Sequence, residues 1–359
     1  MKILYDHQMF TMQRIGGISR YYADLLLHLP KGYKFELPIE YSENHYLEEL
    51  NLYHLKNIPW ISNFRIKRRI YYYLNERITD KVIKKGDFNV FHPSYYDSYF
   101  LKEIKKPFIV TVHDMIHEKF PEAVNRFDNT AIHKKKIVER ASHIIAVSEF
   151  TKSDLIHYLN VDPSKITVVH HGFLSFPSGA DQLYSNYILY VGERNRYKNF
   201  PRFIHAIAPL LSREKDLKLV CTGKPFSKDE LQLFADLKIS SQLQQITATD
   251  SQIASLYQHA LVFVFPSLYE GFGRPTFEAF NYGCPVCLSN ASCFPEIAGD
   301  AALYFDPMNE DSILDTVSKV IYDKELAESL IQAGKERLEK HFSFQSEIDN
   351  TCKVYSLFS

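Results

Sequence analysis

The fold is decided in the stretch Phe265-Pro-Ser-Leu-Tyr-Glu270-Gly271-Phe272-Gly273-Arg-Pro275-Thr276-Phe-Glu278-Ala-Phe-Asn-Tyr-Gly283, where a predicted strand, a loop with two glycines and a helix follow one another. The glycines let backbone approach a ligand closely. Pro275 suits the first position of a helix and Gly283 suits its end, so the amides at this helix start are available to a diphosphate. Glu270 and Glu278 each present a carboxylate that can accept hydrogen bonds from a pair of hydroxyls.

The same alternation of strand and helix recurs along the whole chain. Ten short apolar, β-branched runs are predicted as strands, at 2–6, 89–92, 108–113, 144–148, 166–170, 187–192, 217–222, 261–266, 286–289 and 303–306. Runs that are apolar on both faces are typical of parallel strands covered by helices. They predict an α/β protein with a doubly wound parallel sheet in each half. The Gly-, Pro- and Ser-rich segment 172–181 is predicted as the linker.

Composition and charge indicate a globular chain of two domains. A length of 359 residues exceeds the size at which one core keeps growing. The net charge of −1 gives no global attraction to nucleic acid, which we do not expect as a partner. No apolar run approaches the ~20 residues that span a bilayer, and the first residues lack the pattern of a secretory signal.

The cysteines bear on compartment and metal binding. Five cysteines, an odd number in a long chain, favour a reducing cytoplasm over a disulfide framework. The group Cys284, Cys287 and Cys293 has no fourth ligand nearby, whereas structural zinc takes four. We therefore expect a cytoplasmic protein without a metal site.

The sequence around the two glutamates resembles a known family. Glu270 and Glu278 form an E-x7-E pattern. The match continues through Gly283-x-Pro285-Val286, Pro295-Glu296-x-x-Gly299-Asp300-Ala-Ala302 and Asp306-Pro307. This string resembles family 4 of the retaining glycosyltransferases, which have the GT-B fold of two Rossmann-like domains facing a central cleft. The resemblance implies an acceptor-side domain over 1–172, a nucleotide-sugar-binding domain over 187–340, and a helix over 341–359 that packs back on the first domain.

The resemblance also implies roles for residues of the loop and helix. Glu270 would contact the donor hexose, Glu278 would hold the ribose, and the loop amides would serve hexose and phosphates. The further donor-binding set is Gly271, Phe272, Gly273 and Thr276. Two other interpretations exist: Glu278 as a solvated first-turn residue favoured by the helix dipole, and a dinucleotide motif. Against the latter, Thr276 replaces the third glycine of G-x-G-x-x-G.

Cationic residues follow the first strand of the second half. Breaking a sugar–diphosphate bond leaves negative charge on the leaving group, and without an Asp-x-Asp metal motif cationic side chains must stabilise it. The resemblance implies one Arg and one Lys in contact with the diphosphate here. Lys198 matches the lysine directly. Arg194 and Arg196 both remain candidates for the arginine, because Glu193 separates them from Gly192. A charged surface loop is the alternative.

Three residues of the first half join the predicted site. His113 ends a predicted central strand, and the resemblance implies that its imidazole approaches the donor hexose. Gly16 and Gly17 open a helix after the first strand, and the resemblance places this loop near the phosphates and the acceptor. His170 and His171, at the linker, are interpreted as structural.

The segment 56–106 is locally basic. It contains twelve Lys or Arg and five Asp or Glu, with Trp60, Phe64 and Tyr71-Tyr72-Tyr73 interleaved. Such a mixture suits an anionic membrane surface, and single-stranded nucleic acid could use it too. A solvated helix with core aromatics remains open. Of the functional interpretations we favour peripheral contact with the inner face of the plasma membrane.

The resemblance implies a retaining, metal-independent hexosyltransferase for which the nucleotide-sugar is a substrate, so no cofactor is expected. We expect UDP-glucose as the donor first and GDP-mannose second, with a saccharide or lipid-linked saccharide as the acceptor. Surface polysaccharide biosynthesis is the expected setting by analogy. Two alternatives are a nucleotide-sugar 2-epimerase of the same fold and a non-catalytic nucleotide-sugar-binding protein.

Overall fold

The computed structural model describes residues 1–49, 55–123, 125–174, 181–194 and 196–359. Most of the predicted linker, residues 175–180, therefore lies outside the described residues. Both halves of the chain consist of parallel strands with helices packed against them: two three-stranded groups in the N-terminal half and one six-stranded sheet in the C-terminal half. This is the α/β architecture that the alternating sequence pattern predicts.

The N-terminal half has six strands among the described residues. They are β1 (Lys2–Tyr5), β2 (Lys34–Glu36), β3 (Val90–His92), β4 (Ile109–Val112), β5 (His143–Ala146) and β6 (Ile166–Val168). The helices are α1 (Gln8–Met12), α2 (Gly17–Leu27), α3 (His45–Glu49), α4 (Phe64–Lys85), α5 (Ile116–Lys119), α6 (Thr130–Arg140) and α7 (Glu149–Leu159). The strands form two parallel groups in the orders β2-β1-β3 and β4-β5-β6, which meet through one bridge between Phe91 and Phe108.

The C-terminal half has a single parallel sheet of six described strands in the order β12-β11-β10-β7-β8-β9. Its strands are β7 (Tyr187–Tyr190), β8 (Lys218–Thr222), β9 (Leu243–Ile246), β10 (Val262–Phe265), β11 (Val286–Ser289) and β12 (Leu303–Phe305). The helices are α8 (Phe200–Arg213), α9 (Lys228–Asp236), α10 (Asp250–His259), α11 (Arg274–Asn281), α12 (Phe294–Ala298), α13 (Glu310–Tyr322), α14 (Lys324–His341) and α15 (Phe344–Ser356).

The last helix, α15, packs on the N-terminal half although it follows the C-terminal sheet in sequence. Its Ile348, Cys352 and Tyr355 lie in the same apolar cluster as Ile3 and Tyr5 of β1. The two tyrosine hydroxyls share a hydrogen bond of 2.6 Å inside this cluster. Burial of this apolar surface and a buried, satisfied polar pair hold the chain terminus against the first domain.

Helix α4 is the longest described helix of the N-terminal half, and its ends have clear causes. The Asn63 side chain accepts the backbone N–H groups of Arg65 and Ile66, which caps the first turn. Gly86 ends the helix with φ of +70°, a conformation that glycine adopts without strain. The buried positions recur at every fourth residue from 67 to 83, so α4 buries one narrow face and leaves the opposite face in solvent.

The cysteines are free and buried. Cys284 and Cys287 belong to two different apolar clusters of the C-terminal half. Among the described residues, no group of three or more His, Cys, Asp or Glu side chains is arranged to hold a metal. Nor is any described helix both long and apolar enough to cross a membrane.

Candidate active site

A cavity of about 250 Å³ lies between the two halves, at the carboxyl ends of their strands. Ligands of open parallel sheets bind at such strand ends. The lining residues come from the loops after β4, β7 and β10 and from the starts of α2 and α11. They include Gly17, His113, Asp114, His171, Gly192, Lys198, Glu270, Gly271, Phe272, Gly273 and Arg274. Seven residues of the sequence-predicted site are thus brought together here.

Glu270 and Lys198 form an ion pair at the floor of this cavity. The Lys198 Nζ donates to Glu270 Oε1 at 2.5 Å, and only 15% and 12% of the two side chains are exposed. Burial is the largest single influence and lowers the pKa of Lys198, but the interactions with Glu270, Tyr197 and Asp114 together outweigh it and raise the pKa overall. Lys198 is therefore a permanent cation, and two of its three N–H donors remain for a ligand.

The glycine loop brings the two halves into direct contact. A Cβ on Gly271 would lie 1.7 Å from the carbonyl oxygen of His113, so only glycine fits. The Gly271 carbonyl in turn accepts hydrogen bonds from Ser148 Oγ at 2.7 Å and Thr151 Oγ1 at 3.3 Å. Gly273 has φ of +81° and stands at the N-cap of α11. The glycines therefore serve close interdomain approach as well as the turn into α11.

His113 directly follows β4 and lines the cavity. Its Nε2 is buried and has no hydrogen-bond partner in the described part of the chain, and its ring stacks on His171 at 5.9 Å. Burial lowers the pKa of His113 to about 3, so the imidazole is neutral near pH 7. A neutral imidazole with an unsatisfied nitrogen can exchange a hydrogen bond with a hydroxyl of a bound sugar.

Four residues of the predicted donor-binding set lie outside the lining of this cavity, and two of them, Glu278 and Thr276, are on α11. Glu278, half-buried on α11, accepts the Tyr257 hydroxyl at 3.0 Å, and burial raises its pKa. Thr276 is fully buried, and its hydroxyl has no hydrogen-bond partner among the described residues. The structure thus places the Thr276 side chain on the core side of α11.

The two arginines left open by the sequence do not line the cavity either. The Arg194 side chain is only 6% exposed and pairs with Glu230 at 2.6 Å. Its remaining N–H groups reach the carbonyls of Thr222, Lys224 and Pro225. Arg194 therefore has its donors occupied by its own domain. Arg196 is exposed and points to the first domain, where it donates to the Glu122 carbonyl at 3.5 Å.

Arg274, which the sequence analysis did not select, is the arginine that lines the cavity. It occupies the first position of α11, and its Nη1 donates to the Gly17 carbonyl at 3.2 Å across the cleft. Gly17 itself lines the cavity, whereas Gly16 does not. A Cβ on Gly16 would instead contact the Gln13 side chain. The sequence feature that could have indicated Arg274 is its position between the glycine loop and Pro275, where a side chain projects beside the helix N-terminus.

Two histidine–glutamate pairs tie the linker to the C-terminal elements. His171 Nδ1 lies 2.8 Å from Glu347 Oε1 of α15, and both side chains are buried. Burial raises the pKa of Glu347 to about 7. His170 Nε2 lies 2.7 Å from Glu296, which also accepts two backbone N–H groups at the start of α7. The structural interpretation of these histidines agrees with the contacts, and His171 additionally lines the cavity.

A second cavity lies at the ends of β7, β8 and β9, beside the first. Its lining is Glu193, Thr222, Gly223, Lys224, Pro225, Thr247, Ala248 and Ile253. Lys224 pairs with Glu193 at 2.6 Å, and about half of the Glu193 side chain is exposed. This cavity combines a carboxylate, backbone groups of three loops and an apolar residue, which suits a flat heterocycle.

The fold and the cleft define a GT-B glycosyltransferase. Sucrose-phosphate synthase of Thermosynechococcus elongatus has the same fold, with a TM-score of 0.75 at 17% identity over 99% of this chain and 98% of that one. Anabaena HepE in complex with UDP-glucose matches with a TM-score of 0.74 at 15% identity over 99% of both chains.

The particular family follows from the sequence. Residues 15–173 match the family described as Glycosyltransferase Family 4, and residues 176–337 match Glycosyl transferases group 1. This chain belongs to glycosyltransferase family 4. The MMP α-(1→4)-mannosyltransferase of Mycolicibacterium hassiacum is 27% identical over 76% of this chain and 71% of its own length. The O-antigen chain mannosyltransferase RfbU of Salmonella typhimurium is 29% identical over 56% of this chain and 58% of its own.

Proposed function

We propose that the enzyme transfers mannose from GDP-mannose to a saccharide acceptor with retention of the anomeric configuration, in the assembly of a surface polysaccharide. The observation that carries the proposal is that the Lys198–Glu270 ion pair and His113 line one interdomain cavity. The mannose donor, ranked second from the sequence, moves ahead of UDP-glucose because the two relatives found by sequence, from Mycolicibacterium hassiacum and Salmonella typhimurium, are mannosyltransferases.

In this proposal the leaving diphosphate lies between Lys198 and the start of α11. Lys198 keeps its bond to Glu270 and directs further N–H groups at phosphate oxygens. Arg274 adds a second cation beside the helix amides. Together they stabilise the charge that develops as the sugar–phosphate bond breaks, without a metal ion. Arg194 supports the loop instead of contacting phosphate, since its donors are already used.

The sugar itself would lie between Glu270 and His113. Glu270 accepts hydrogen bonds from hexose hydroxyls, and His113 Nε2 contacts another hydroxyl from the opposite domain. The departing phosphate oxygen then takes the proton of the acceptor hydroxyl on the same face of the sugar. No enzyme carboxylate has to become a nucleophile in this sequence of events.

The nucleoside would occupy the cavity at the ends of β8 and β9. A carboxylate accepts two parallel hydrogen bonds from the N1–H and N2–H groups of guanine, whereas uracil offers only one N–H donor. Glu193 is the carboxylate that lines this cavity, which favours GDP over UDP.

A radiochemical assay with donor and acceptor tests the activity directly. With GDP-mannose, acceptor and no added metal, we expect transfer of mannose to give an α-linked product. Without acceptor, we expect slow release of mannose from the donor. Conversion of the donor alone to an epimer would establish the 2-epimerase alternative. Nucleotide binding without turnover would establish the non-catalytic alternative, and turnover of UDP-glucose alone would refute the proposed donor.

We further propose that the exposed face of α4 contacts an anionic membrane. Arg65, Arg69, Tyr73, Arg77 and Lys81 follow one another at a spacing of four on the solvent side. The apolar exposed neighbours are Trp60 (83% exposed), Ile66 (52%) and Tyr73 (53%). Cations with protruding aromatic and aliphatic groups are the combination that binds at lipid headgroups.

Vesicle sedimentation tests the membrane proposal. The protein should sediment with vesicles that contain 30 mol% phosphatidylglycerol and stay in solution with phosphatidylcholine alone. The variant Arg65→Gln/Arg77→Gln/Lys81→Gln should lose most of this binding. Equal sedimentation with both vesicles, or unchanged binding of the variant, would contradict the proposal.

A further inference from the structure

A third cavity, of about 300 Å³, lies within the N-terminal half and takes no part in the donor site. It is enclosed by the end of α1, the first turns of α4, the segment after β3 and the start of α6. Its lining is Met12, Arg68, Arg69, Tyr72, Tyr95, Tyr96, Asp97, Asn129, Thr130 and His133. No single sequence motif contains these residues, because they come from four separate segments of the chain.

This cavity is adjacent to the donor cavity. The Tyr96 hydroxyl accepts the backbone N–H of His113 at 2.9 Å, so the wall of one cavity fixes a residue of the other. Met12 lines the third cavity, and the next residue, Gln13, lines the donor cavity. A molecule bound in the third cavity would therefore lie next to the donor cavity, on its N-terminal side.

The aromatic side chains of the third cavity are held in place. The Tyr72 hydroxyl donates to Asp97 Oδ2 at 2.9 Å, and the rings of Tyr95 and Tyr96 pack at 4.5 Å. Asp97 Oδ1 is also occupied, since it accepts the Tyr99 backbone N–H at 3.1 Å. The cavity thus offers fixed ring faces, which pack against the apolar face of a pyranose, while its carboxylate is already engaged.

The polar groups that remain are donors. In the part of the chain that the structure describes, Arg68 and Arg69 have no carboxylate partner, in contrast to the adjacent Lys67, which pairs with Glu43 at 2.5 Å. His133 Nδ1 accepts the Ser98 N–H at 3.2 Å, which leaves the ring proton on Nε2. Two free guanidinium groups and an imidazole N–H in one cavity select an anionic ligand.

We propose that this cavity is the acceptor subsite and that the acceptor is a saccharide carrying a phosphate or pyrophosphate group bound by Arg68 and Arg69. The proposal rests on the proposed function, which supplies the sugar donor. The sugar ring packs on Tyr72 and Tyr95, and the phosphate lies toward the solvent side of α4. Arg69 belongs both to this cavity and to the exposed basic face, so a phosphate linked to a lipid reaches the cavity from the membrane side.

Binding is measured by calorimetry with α-mannose 1-phosphate as the probe and mannose as its neutral counterpart. The nucleoside diphosphate that binds the enzyme is present at saturation, so that the donor cavity is filled. We expect the phosphorylated sugar to bind at least tenfold more tightly than mannose. Arg68→Gln/Arg69→Gln should weaken its binding at least tenfold. Lys135→Gln/Lys136→Gln, which removes the same charge from the exposed side of α6, should change it less than twofold.

Three results would overturn the proposal: equal affinity for the two sugars, unchanged affinity in the arginine variant, or an equal loss in the lysine variant. Retention of nucleoside diphosphate binding by the arginine variant establishes that it is folded. If the wild-type protein binds no nucleotide and transfers no sugar, the proposed function fails instead, and arginine-dependent binding of the sugar phosphate would still stand.

Transfer assays then distinguish the two sources of the phosphate. One arm uses a saccharide on polyprenyl pyrophosphate in vesicles, and the other uses soluble hexose 1-phosphate. For whichever acceptor the enzyme uses, Arg68→Gln/Arg69→Gln should raise the acceptor KM at least tenfold. The same variant should leave the donor KM unchanged. Use of the vesicle-borne acceptor alone assigns the cavity to a lipid-linked substrate. An unchanged acceptor KM in both arms would refute the subsite.

Discussion

The two halves of the molecule share an architecture but encode their chemistry differently. In the C-terminal half, the ligand-facing residues follow strands of one continuous six-stranded sheet, and Glu270, Gly271 and Gly273 stand within four positions of one another. In the N-terminal half, the sheet consists of two three-stranded groups, and the third cavity is assembled from four separate elements. The proposed donor site is therefore formed largely by a local sequence motif, whereas the proposed acceptor subsite is formed only by the tertiary structure.

Removal of the buried cation should give the largest effect in the C-terminal half. Lys198→Ala should lower kcat by roughly 10²–10³-fold, because a preorganised charge at the leaving group is lost, with little change in the acceptor KM. Steady-state kinetics measure this, and circular dichroism serves as the folding control. A kcat within threefold of the wild type would remove Lys198 from the site.

Arg274 and Arg194 test the difference between a residue that lines the cavity and a residue that supports the fold. Arg274→Gln should lower kcat/KM for the donor by about 10–100-fold without a large change in stability, because the side chain lines the cavity. Arg194→Gln should instead lower the free energy of unfolding by about 3 kcal/mol, because it leaves Glu230 partly buried without its partner. Denaturant melts and donor kinetics on both variants separate the roles, and the reverse pattern would restore Arg194 as the phosphate ligand.

The contact between α15 and the linker should depend on pH. The folded protein raises the pKa of Glu347 to about 7 from its ordinary 4.5, so the folded state binds this proton more tightly than the unfolded state. The contribution of Glu347 to the free energy of unfolding therefore falls by up to about 3 kcal/mol as pH rises from 4.5 to 7. Glu347→Gln should melt a few degrees above the wild type at pH 8 and equal it at pH 4.5. An equal difference at both values would contradict the assigned titration.

Thr276 should show the smallest effect. Thr276→Val removes a buried hydroxyl without a hydrogen-bond partner among the described residues, so stability should stay equal or rise by about 1 kcal/mol. The donor KM should not change, because the side chain does not line the cavity. A tenfold rise in the donor KM would support its predicted place in the donor-binding set.

Much of the fold could be predicted because ten of the twelve described strands are apolar runs. The two that the sequence analysis missed, β2 and β9, are edge strands with the sequences Lys-Phe-Glu and Leu-Gln-Gln-Ile. An edge strand has one neighbour and more contact with water, so it needs no continuous apolar run. The buried-strand pattern therefore misses the polar edge strands β2 and β9, although it detects the apolar edge strand β12.

The proposed donor site could be predicted in part because some of its residues stand in local sequence motifs that follow predicted strands. Glu270 and Lys198 stand in motifs and meet in the structure. Arg194 stood at the expected place in the sequence, but Glu230, a capping residue of α9, draws its guanidinium away. Nothing in the local sequence around Arg68 indicates that its helix faces Tyr95 and His133, because that arrangement depends on how α4 and α6 pack.

The central claim is that the donor site and the acceptor subsite are separate. The most direct test is one GDP-mannose transfer assay in which donor and acceptor kinetics are measured for Lys198→Ala and for Arg68→Gln/Arg69→Gln. The account predicts α-linked mannosyl product, a kcat loss of roughly 10²–10³-fold with unchanged acceptor KM for the first variant, and a raised acceptor KM with unchanged donor KM for the second. Absence of mannosyl transfer by the wild type, or a donor KM that rises in the arginine variant, would contradict it.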